Sequence, residues 1–313
     1  MSTSAAIFPG QGAQLVGMGQ DVAEQYSVAA ETFARADEVL GLDISRLCFE
    51  GPAETLNATD IQQPAIFTTS VALFRAAVDA KIVSAEGFRA MGGLSLGEYT
   101  ALHLAGAISF DDALRVVQRR GRLMQECCEK YPGGMVSLMG LDETQALTLC
   151  ERVAGAGRVR PANFNCPGQI VISGDKAACE AAVKVAEELG GKAVPLQVAG
   201  AFHSDLMRDA AEGLRPMLAQ TEFRRPGVAV TANVDARYHG EPDEIRTRLY
   251  EQVFNPVRWQ ACVERMMGDG CDLFWEIGPN RVLTGLMRKI NRKTRTINLS
   301  TAQRLEAAKE QAV

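Results

Sequence analysis

Ser95 is the residue of this sequence with the strongest sign of chemistry. It lies in "MGGLSLGEY", Met91–Tyr99, where three glycines surround it. The segment Gly93–Gly97 fits G-x-S-x-G, a pattern in which a sharp strand-to-helix turn presents a nucleophilic serine oxygen. An ordinary turn, in which the glycines only let the backbone change direction, also fits. The motif therefore predicts either a nucleophile or a turn residue, and a nucleophile needs a base.

A serine hydroxyl reacts poorly until a general base takes its proton, and the chain has three histidines. His103 follows Ser95 on the same predicted helix, about 12 Å along its axis, and is too far away. His239, in the polar turn "RYHGEPDE", is expected to be exposed. His203, in "VAGAFHSDLM", lies between a strand end and a helix, where α/β enzymes place catalytic groups. Elimination favours His203 as the base; the alternative is a helix-start histidine bonded to the backbone.

Two donors are candidates for stabilising an oxyanion beside the serine. In the elbow geometry, the backbone N–H after the nucleophile, that of Leu96, points into the site. The loop "FPGQGAQ" offers Gln11, with Gly10 and Gly12 allowing close approach. A dinucleotide-binding loop would need Gly or Ala where Leu15 stands, so that alternative is weak.

Arg120 interrupts an otherwise apolar helix face. In "DDALRVVQRRGRLMQECC", spacings of three and four residues place on one face Ala113, Val117, Arg120, Met124 and Cys127. Gly121 beside it permits close approach of another element. A buried cation needs an anion, which leaves two interpretations open: a structural salt bridge, or a fork for a substrate carboxylate.

Two patterns of elements must position these residues. Up to about Tyr131 short apolar strands alternate with helices, as in a parallel α/β sheet, and this pattern resumes near residue 200. Between them the order is β-α-β-β-α-β, a ferredoxin-like unit. We therefore predict an α/β domain of residues 1–131 and 200–313 with an inserted subdomain of residues 132–199, and a substrate cleft between the two.

Composition excludes several classes of protein. The 313 residues are 47% hydrophobic, enough for a sizeable core, and the net charge of -5 argues against a general nucleic-acid binder. The eight cysteines include no C-x-x-C pair, which disfavours a zinc site and a disulfide framework. No apolar run approaches membrane-spanning length. We expect a cytoplasmic protein that binds neither membrane nor nucleic acid.

Seven blocks, in order along nearly the whole chain, carry a family resemblance. They are "FPGQGAQ", "GGLSLGEYTAL", "QRRGRLMQE", "NFNCPGQIVISG", "GAFHSDLM", "FNPVRW" and "EIGPNRVLTGLMRK". Together they resemble the malonyl-CoA:acyl carrier protein transacylases of fatty acid synthesis. The resemblance implies a hydrolase-like α/β domain with a ferredoxin-like insertion. It also implies a ping-pong reaction, in which Ser95 takes malonyl from coenzyme A and passes it to the phosphopantetheine thiol of acyl carrier protein.

The resemblance also implies roles for individual residues. His203 is the base of a Ser-His dyad, Arg120 holds the malonyl carboxylate, and Gln11 with the Leu96 N–H forms the oxyanion hole. Gln252, in "YEQVFNPV", matches the position whose backbone carbonyl orients the histidine. The substrates are malonyl-CoA and holo acyl carrier protein, with no cofactor and no metal, and we expect a monomer.

Two neighbours of the dyad bear on the match. The family usually has histidine before the nucleophile, where this chain has Leu94. That histidine is not the proton acceptor, so the dyad is intact, but a polar neighbour is lost. In the family, phenylalanine before the catalytic histidine accompanies selectivity for malonyl over the larger methylmalonyl group. This chain has Phe202 at that position.

A basic run near the C-terminus is a candidate docking surface. The stretch Arg281–Arg295 contains six cations and no acid, and we assign carrier-protein docking to Arg281, Arg288, Lys289 and Arg292. A solvated helix end with cations at its C-terminal dipole is the simpler interpretation. The resemblance favours docking, because acyl carrier proteins are strongly acidic and opposite charges speed encounter.

Two other functions remain open from the sequence. In a serine acyl hydrolase or thioesterase, water would accept the acyl group; a carboxylate fork at Arg120 argues against it. A carrier-protein-binding scaffold without catalysis is suggested by Leu94, although Ser95 and His203 both persist.

Overall fold

The computed structural model describes residues 3–312 and contains two sheets. The strands are β1 (Ser4–Phe8), β2 (Phe88–Gly93), β3 (Gly133–Met139), β4 (Val159–Cys166), β5 (Gln169–Asp175), β6 (Lys192–Pro195), β7 (Ala229–Val230), β8 (Leu273–Ile277) and β9 (Arg295–Leu299). The large sheet has the order β7-β2-β1-β8-β9, and all of its pairings are parallel. Its central strand β1 is buried along "AAIF", as expected for a parallel strand covered on both faces.

The second sheet is antiparallel, with the order β4-β5-β3-β6. Helices follow β3 and β5, which gives the β-α-β-β-α-β order and the strand arrangement of a ferredoxin-like unit. The predicted α/β fold with a ferredoxin-like insertion is confirmed. This sheet spans residues 133–195, within the range predicted for the insertion, while the division into domains stays a prediction.

Helices cover the sheets. They are α1 (Gln20–Gln25), α2 (Ser27–Leu40), α3 (Ile44–Glu50), α4 (Ala53–Leu56), α5 (Thr59–Asp79), α6 (Leu96–Leu104), α7 (Phe110–Lys130), α8 (Glu143–Arg152), α9 (Lys176–Glu188), α10 (Arg208–Gln220), α11 (Pro242–Gln252), α12 (Trp259–Gly268), α13 (Val282–Ile290) and α14 (Ala302–Ala312). Short 3₁₀ turns lie at Ala85–Gly87, Ala154–Ala156 and Asp205–Met207. Within residues 3–312, no helix combines the length and apolar character needed to span a bilayer.

Several elements differ from what the sequence pattern predicts. The helical periodicity of "AEQYSVAAETFARADEVLG" predicts one helix, but this segment forms two, because Tyr26 adopts an extended conformation (φ -124°, ψ 114°) between α1 and α2. The segment "KAVPLQVAG" is predicted as one strand, but β6 ends at Pro195, and "LQVAG" lies outside it. Strand β9 and helix α14 follow "NRVLTGLMRKI", the last helix that the sequence pattern predicts.

Helices α5 and α7 pack closely and carry part of the candidate site. Helix α5 is buried on nearly all sides, which is typical of a central helix. A Cβ at Gly121 of α7 would lie 2.7 Å from the carbonyl oxygen of Thr59, so glycine is needed for this approach. The apolar face of α7 is buried as predicted, and it directs Arg120 into the protein.

Candidate active site

Ser95 occupies the strand-to-helix turn that its motif predicts. It lies between β2 and α6 with φ 52° and ψ -102°, in the left-handed region that non-glycine residues rarely adopt. Two glycines allow the tight packing of this turn. A Cβ at Gly93 would lie 2.0 Å from the carbonyl carbon of Gly97, and a Cβ at Gly97 would lie 2.1 Å from the Phe8 carbonyl oxygen. The turn therefore brings the serine to the carboxyl end of the parallel strands, where α/β folds place their sites.

His203 lies against this serine, as elimination among the histidines predicted. Its Nε2 is 2.8 Å from the Ser95 Oγ, and both residues are buried. Its Nδ1 donates to the Gln252 carbonyl oxygen at 2.8 Å. Because that bond places the proton on Nδ1, Nε2 is free to accept the serine proton. Like Ser95, His203 has a positive φ, of 57°.

The surroundings keep His203 uncharged. Burial, with the nearby Arg120 cation as a second cause, lowers the pKa of His203 to about 3. The bond to the Gln252 carbonyl opposes this shift. A neutral imidazole is the form that can act as a general base.

Arg120 is 1% exposed and points at the same serine. Its Nη2 donates to the Ser95 Oγ (2.9 Å) and to the Gln252 Oε1 (3.0 Å), and its Nη1 donates to the Gln63 Oε1 (2.6 Å). The guanidinium also lies 5.5 Å from the centre of the Tyr99 ring. Among the residues that the structure describes, no carboxylate bonds to this cation, and its Nε has no partner. Of the two interpretations of Arg120, a structural salt bridge is therefore not present among the residues that the structure describes.

The two candidate oxyanion donors lie beside the elbow. Gln11 lines the same cavity as Ser95 and His203. Its loop is close to the elbow, since a Cβ at Gly10 would lie 2.3 Å from the Leu94 carbonyl oxygen. Leu96 is the first residue of α6, so its N–H has no acceptor within the helix. Their joint role as an oxyanion hole stays a prediction.

A cavity of about 200 Å³ opens onto the dyad between the two sheets. The antiparallel sheet supplies Met135, Asn163 and Val171, and Phe202 and Leu94 also line it. A larger cleft, of about 750 Å³, lies near the amino ends of the parallel strands. We assign the site to the smaller cavity, because of the two it alone is lined by Ser95 and His203 and lies at the carboxyl ends of the parallel strands.

The four predicted docking residues are exposed, and three of them lie on or next to a helix that lines the cavity. Arg281, Arg288 and Lys289 lie on or next to α13, and Arg292 follows it. The same helix lines the cavity through Val282 and Leu286. The Lys289 Nζ donates to the Oε1 of Gln169, another cavity residue, at 3.1 Å. Within residues 3–312, none of the four cations forms an ion pair.

Behind the elbow lies a group of buried polar residues that no sequence pattern predicted. Its members are Gln63, Glu98, Asn233 and His239. The expectation that His239 is exposed is wrong: its side chain is fully buried, and its Nε2 is 2.8 Å from the Glu98 Oε1. The turn that carries it folds back on β7, where the His239 N–H donates to the Val230 carbonyl. The one available signal was Glu98 itself, an acid in the apolar run "SLGEYTAL" that needs partners if buried.

Comparison with known proteins agrees with this geometry. The family model described as "Acyl transferase domain" matches residues 6–306. The chain belongs to the acyl transferase family. It is 42% identical to a malonyl CoA-acyl carrier protein transacylase of Bacillus subtilis (98% of this chain, 96% of that protein) and 44% identical to one of Escherichia coli (93% of each). A solved malonyl-transacylase in complex with its type II PKS acyl-carrier protein has a TM-score of 0.94 at 40% identity, over 99% of this chain and 100% of that one.

The pKa of His203 leads to a prediction about pH. With a native pKa of about 3 and an ordinary value of 6.5, the imidazole should stay neutral from pH 7 to pH 4. Because the unfolded chain takes up that proton below pH 6.5 and the native protein does not, stability is lost as pH falls from 6.5 towards 3. By pH 5 this amounts to about 2 kcal/mol from this residue.

NMR titration of the imidazole resonances measures the protonation directly, and chemical unfolding at pH 7 and pH 5 measures the stability loss. The variant His203→Gln should lose less stability over that interval. An imidazole that titrates near pH 6.5 in the folded protein would show the prediction to be wrong.

Proposed function

We propose that this chain transfers the malonyl group from malonyl-CoA to the phosphopantetheine thiol of acyl carrier protein, through a malonyl-Ser95 intermediate. The observation that carries the proposal is the convergence of three side chains: the Ser95 Oγ lies 2.8 Å from the base nitrogen of His203 and 2.9 Å from the guanidinium of Arg120. Family membership and the names of the relatives support the same activity.

In the first half-reaction, His203 Nε2 takes the hydroxyl proton while the Ser95 Oγ attacks the thioester carbonyl carbon. The tetrahedral intermediate carries an oxyanion, which the Leu96 N–H and Gln11 stabilise in this proposal. The carbon–sulfur bond then breaks, and the imidazolium returns its proton to the leaving thiolate. The products are malonyl-Ser95 and free coenzyme A.

In the second half-reaction, the same groups act in reverse order. The carrier-protein thiol gives its proton to His203 and attacks the malonyl ester, and the imidazolium protonates the leaving Ser95 oxygen. Because the same base serves both steps, no residue beyond the Ser95–His203 dyad has to move a proton; the oxyanion donors only donate hydrogen bonds. The proposal includes no metal and no cofactor of the enzyme.

Arg120 provides the selectivity for a dicarboxylic acyl group. Its described partners are the neutral oxygens of Gln63, Gln252 and Ser95, so it carries a buried charge that a carboxylate would neutralise. A guanidinium also binds a carboxylate in a two-pronged geometry. This unpaired cation favours malonyl transfer over a general acyl hydrolase, and the intact Ser95–His203 contact disfavours a scaffold without catalysis.

Acyl carrier protein is the partner, as the names of the relatives and the solved complex support. We place the reaction in the cytoplasm. All eight cysteines are free and buried, in keeping with a reducing compartment.

Mass spectrometry of the acyl-enzyme tests the proposed function. Mixing the protein with malonyl-CoA should add one malonyl group on Ser95, which holo carrier protein then removes as malonyl-carrier protein. Ser95→Ala should not be labelled, and His203→Ala should be labelled about 100- to 10,000-fold more slowly, because it lacks the positioned base. Release of free malonate faster than transfer would favour a hydrolase, and no label on the unmodified protein would favour a scaffold.

Arg120→Ala should damage discrimination more than chemistry. Loss of the guanidinium should weaken malonyl loading by about 2–5 kcal/mol, while acetyl loading from acetyl-CoA should fall much less. Loading rates with both thioesters measure the ratio. Arg75→Ala is the matched control, a partly buried arginine that bonds Thr32 outside the site, and it should leave the ratio unchanged. Equal losses for both acyl groups would assign Arg120 a structural role.

The docking surface leads to a separate prediction. Reversing two exposed cations of α13, with Arg288→Glu and Lys289→Glu, should slow transfer to carrier protein through its association rate and weaken its salt dependence. Loading from malonyl-CoA should change less. Lys176→Glu with Lys184→Glu, on exposed positions of α9, makes the same charge change away from the cavity. A wild-type rate of transfer at low salt in the first variant, or equal slowing in both variants, would show that the docking surface lies elsewhere.

A further inference from the structure

Glu98 is a fully buried acid that follows Ser95 by three residues in sequence but does not line the cavity. It lies in the first turn of α6 and is 0% exposed. Carboxyl groups are almost never fully buried unless they are paired. Its Oε2 accepts from the Gln252 Nε2 (2.8 Å) and the Asn233 N–H (2.9 Å), and its Oε1 lies 2.8 Å from the His239 Nε2. Two of these partners hold the reacting groups.

The first is Gln252, which contacts all three members of the candidate site. Its Nε2 donates to the Ser95 carbonyl (2.9 Å) as well as to Glu98, and its Oε1 accepts from Arg120 (3.0 Å). Its own carbonyl accepts from His203. An amide could be inverted, with its oxygen and nitrogen exchanged. Glu98 and the Ser95 carbonyl together oppose this inversion, because both need a donor, and so the Gln252 oxygen faces Arg120.

The second is Asn233, which clamps the elbow from both sides. Its Oδ1 accepts from the Ser95 N–H at 2.7 Å, and its Nδ2 donates to the Gly93 carbonyl at 2.8 Å. The backbone N–H of Asn233 donates to Glu98, so the position of the Asn233 side chain against the elbow depends on the position of that carboxyl group. The carboxyl group of Glu98 therefore contacts neither the cavity nor the Ser95 hydroxyl. Through Gln252 it is linked to Ser95, His203 and Arg120.

We propose that the buried carboxyl group of Glu98 is a positioning group for acyl transfer, acting through the side chains of Gln252 and Asn233. His239 fixes its orientation by bonding the oxygen that those two residues leave free. The Nδ1 of His239 has no partner in the described residues. The only hydrogen bond of this imidazole there is therefore the one between its Nε2 and Glu98.

This inference rests on the proposed function, and single-turnover kinetics separates the two. Wild-type protein at saturating malonyl-CoA should form malonyl-Ser95 in a burst, whose amplitude counts correctly folded sites and whose rate constant reports positioning. In Glu98→Ala the burst should keep its amplitude while its rate constant falls about 100-fold, as for displaced reacting groups. Glu98→Gln should recover to within about tenfold of wild type, because its amide oxygen keeps both donors and its N–H₂ can donate to the other tautomer of His239.

Two matched controls lie on the same helix. Thr100→Ala alters another fully buried side chain of α6, and His103→Leu removes an imidazole that bonds the Ile108 carbonyl. Both should load at the wild-type rate constant, whatever stability they lose. His239→Leu should slow loading about tenfold, and His239→Gln, which keeps a donor, should restore most of it. These two variants test the proposal even if Glu98→Ala does not fold.

The outcomes differ for each hypothesis. No burst in the wild type would overturn the proposed function. The positioning role alone would be overturned by a normal wild-type burst together with wild-type rate constants in Glu98→Ala and His239→Leu, or in His239→Leu by itself where Glu98→Ala does not fold.

Discussion

The left-handed backbone of Ser95 is the constraint on which the rest of the site depends. A non-glycine residue in such a conformation costs on the order of 1–3 kcal/mol and persists only when its surroundings fix it. Here both peptide groups of the residue are held: Asn233 accepts from its N–H, and Gln252 donates to its carbonyl. The glycines at positions 93 and 97 remove the side chains that would prevent the turn. The strain is therefore balanced by buried hydrogen bonds that also align the base and the cation.

The charges of the site are as interdependent as its backbone. Arg120 contributes to the low pKa of His203, so the cation that would bind the substrate also opposes formation of the imidazolium. A carboxylate placed on Arg120 offsets this repulsion. Under the proposed function, the substrate that fits the site thus also makes His203 a better base, whereas an acyl group without a carboxylate does not. Selectivity then arises in the rate of acylation as well as in binding.

The sequence predicted what local patterns encode. Spacing within single segments predicted the elbow, the apolar helix face that carries Arg120, and the ferredoxin-like order of elements. His203 was predicted as the base because the chain has only three histidines. The group around Glu98 was not predictable in this way, since Asn233 and His239 lie 135 and 141 residues from it. No local pattern shows that a polar turn will fold over a buried acid. For Gln252, the family resemblance predicted only the backbone carbonyl, and the contacts of its side chain required the structure.

The depth of the site bears on why the acyl group goes to a thiol rather than to water. Ser95 is 7% exposed, at the base of a cavity between two sheets, so an acceptor carried on a protein needs a long, thin arm to reach it. Leu94, Val171 and Leu286 give part of the cavity apolar walls that suit the methylene groups of such an arm. Where the family usually has a histidine, Leu94 adds to these walls a side chain that can neither bind nor orient a water molecule. The departure from the family pattern that raised doubt about catalysis is therefore consistent with a site that retains its acyl group until the carrier arm arrives.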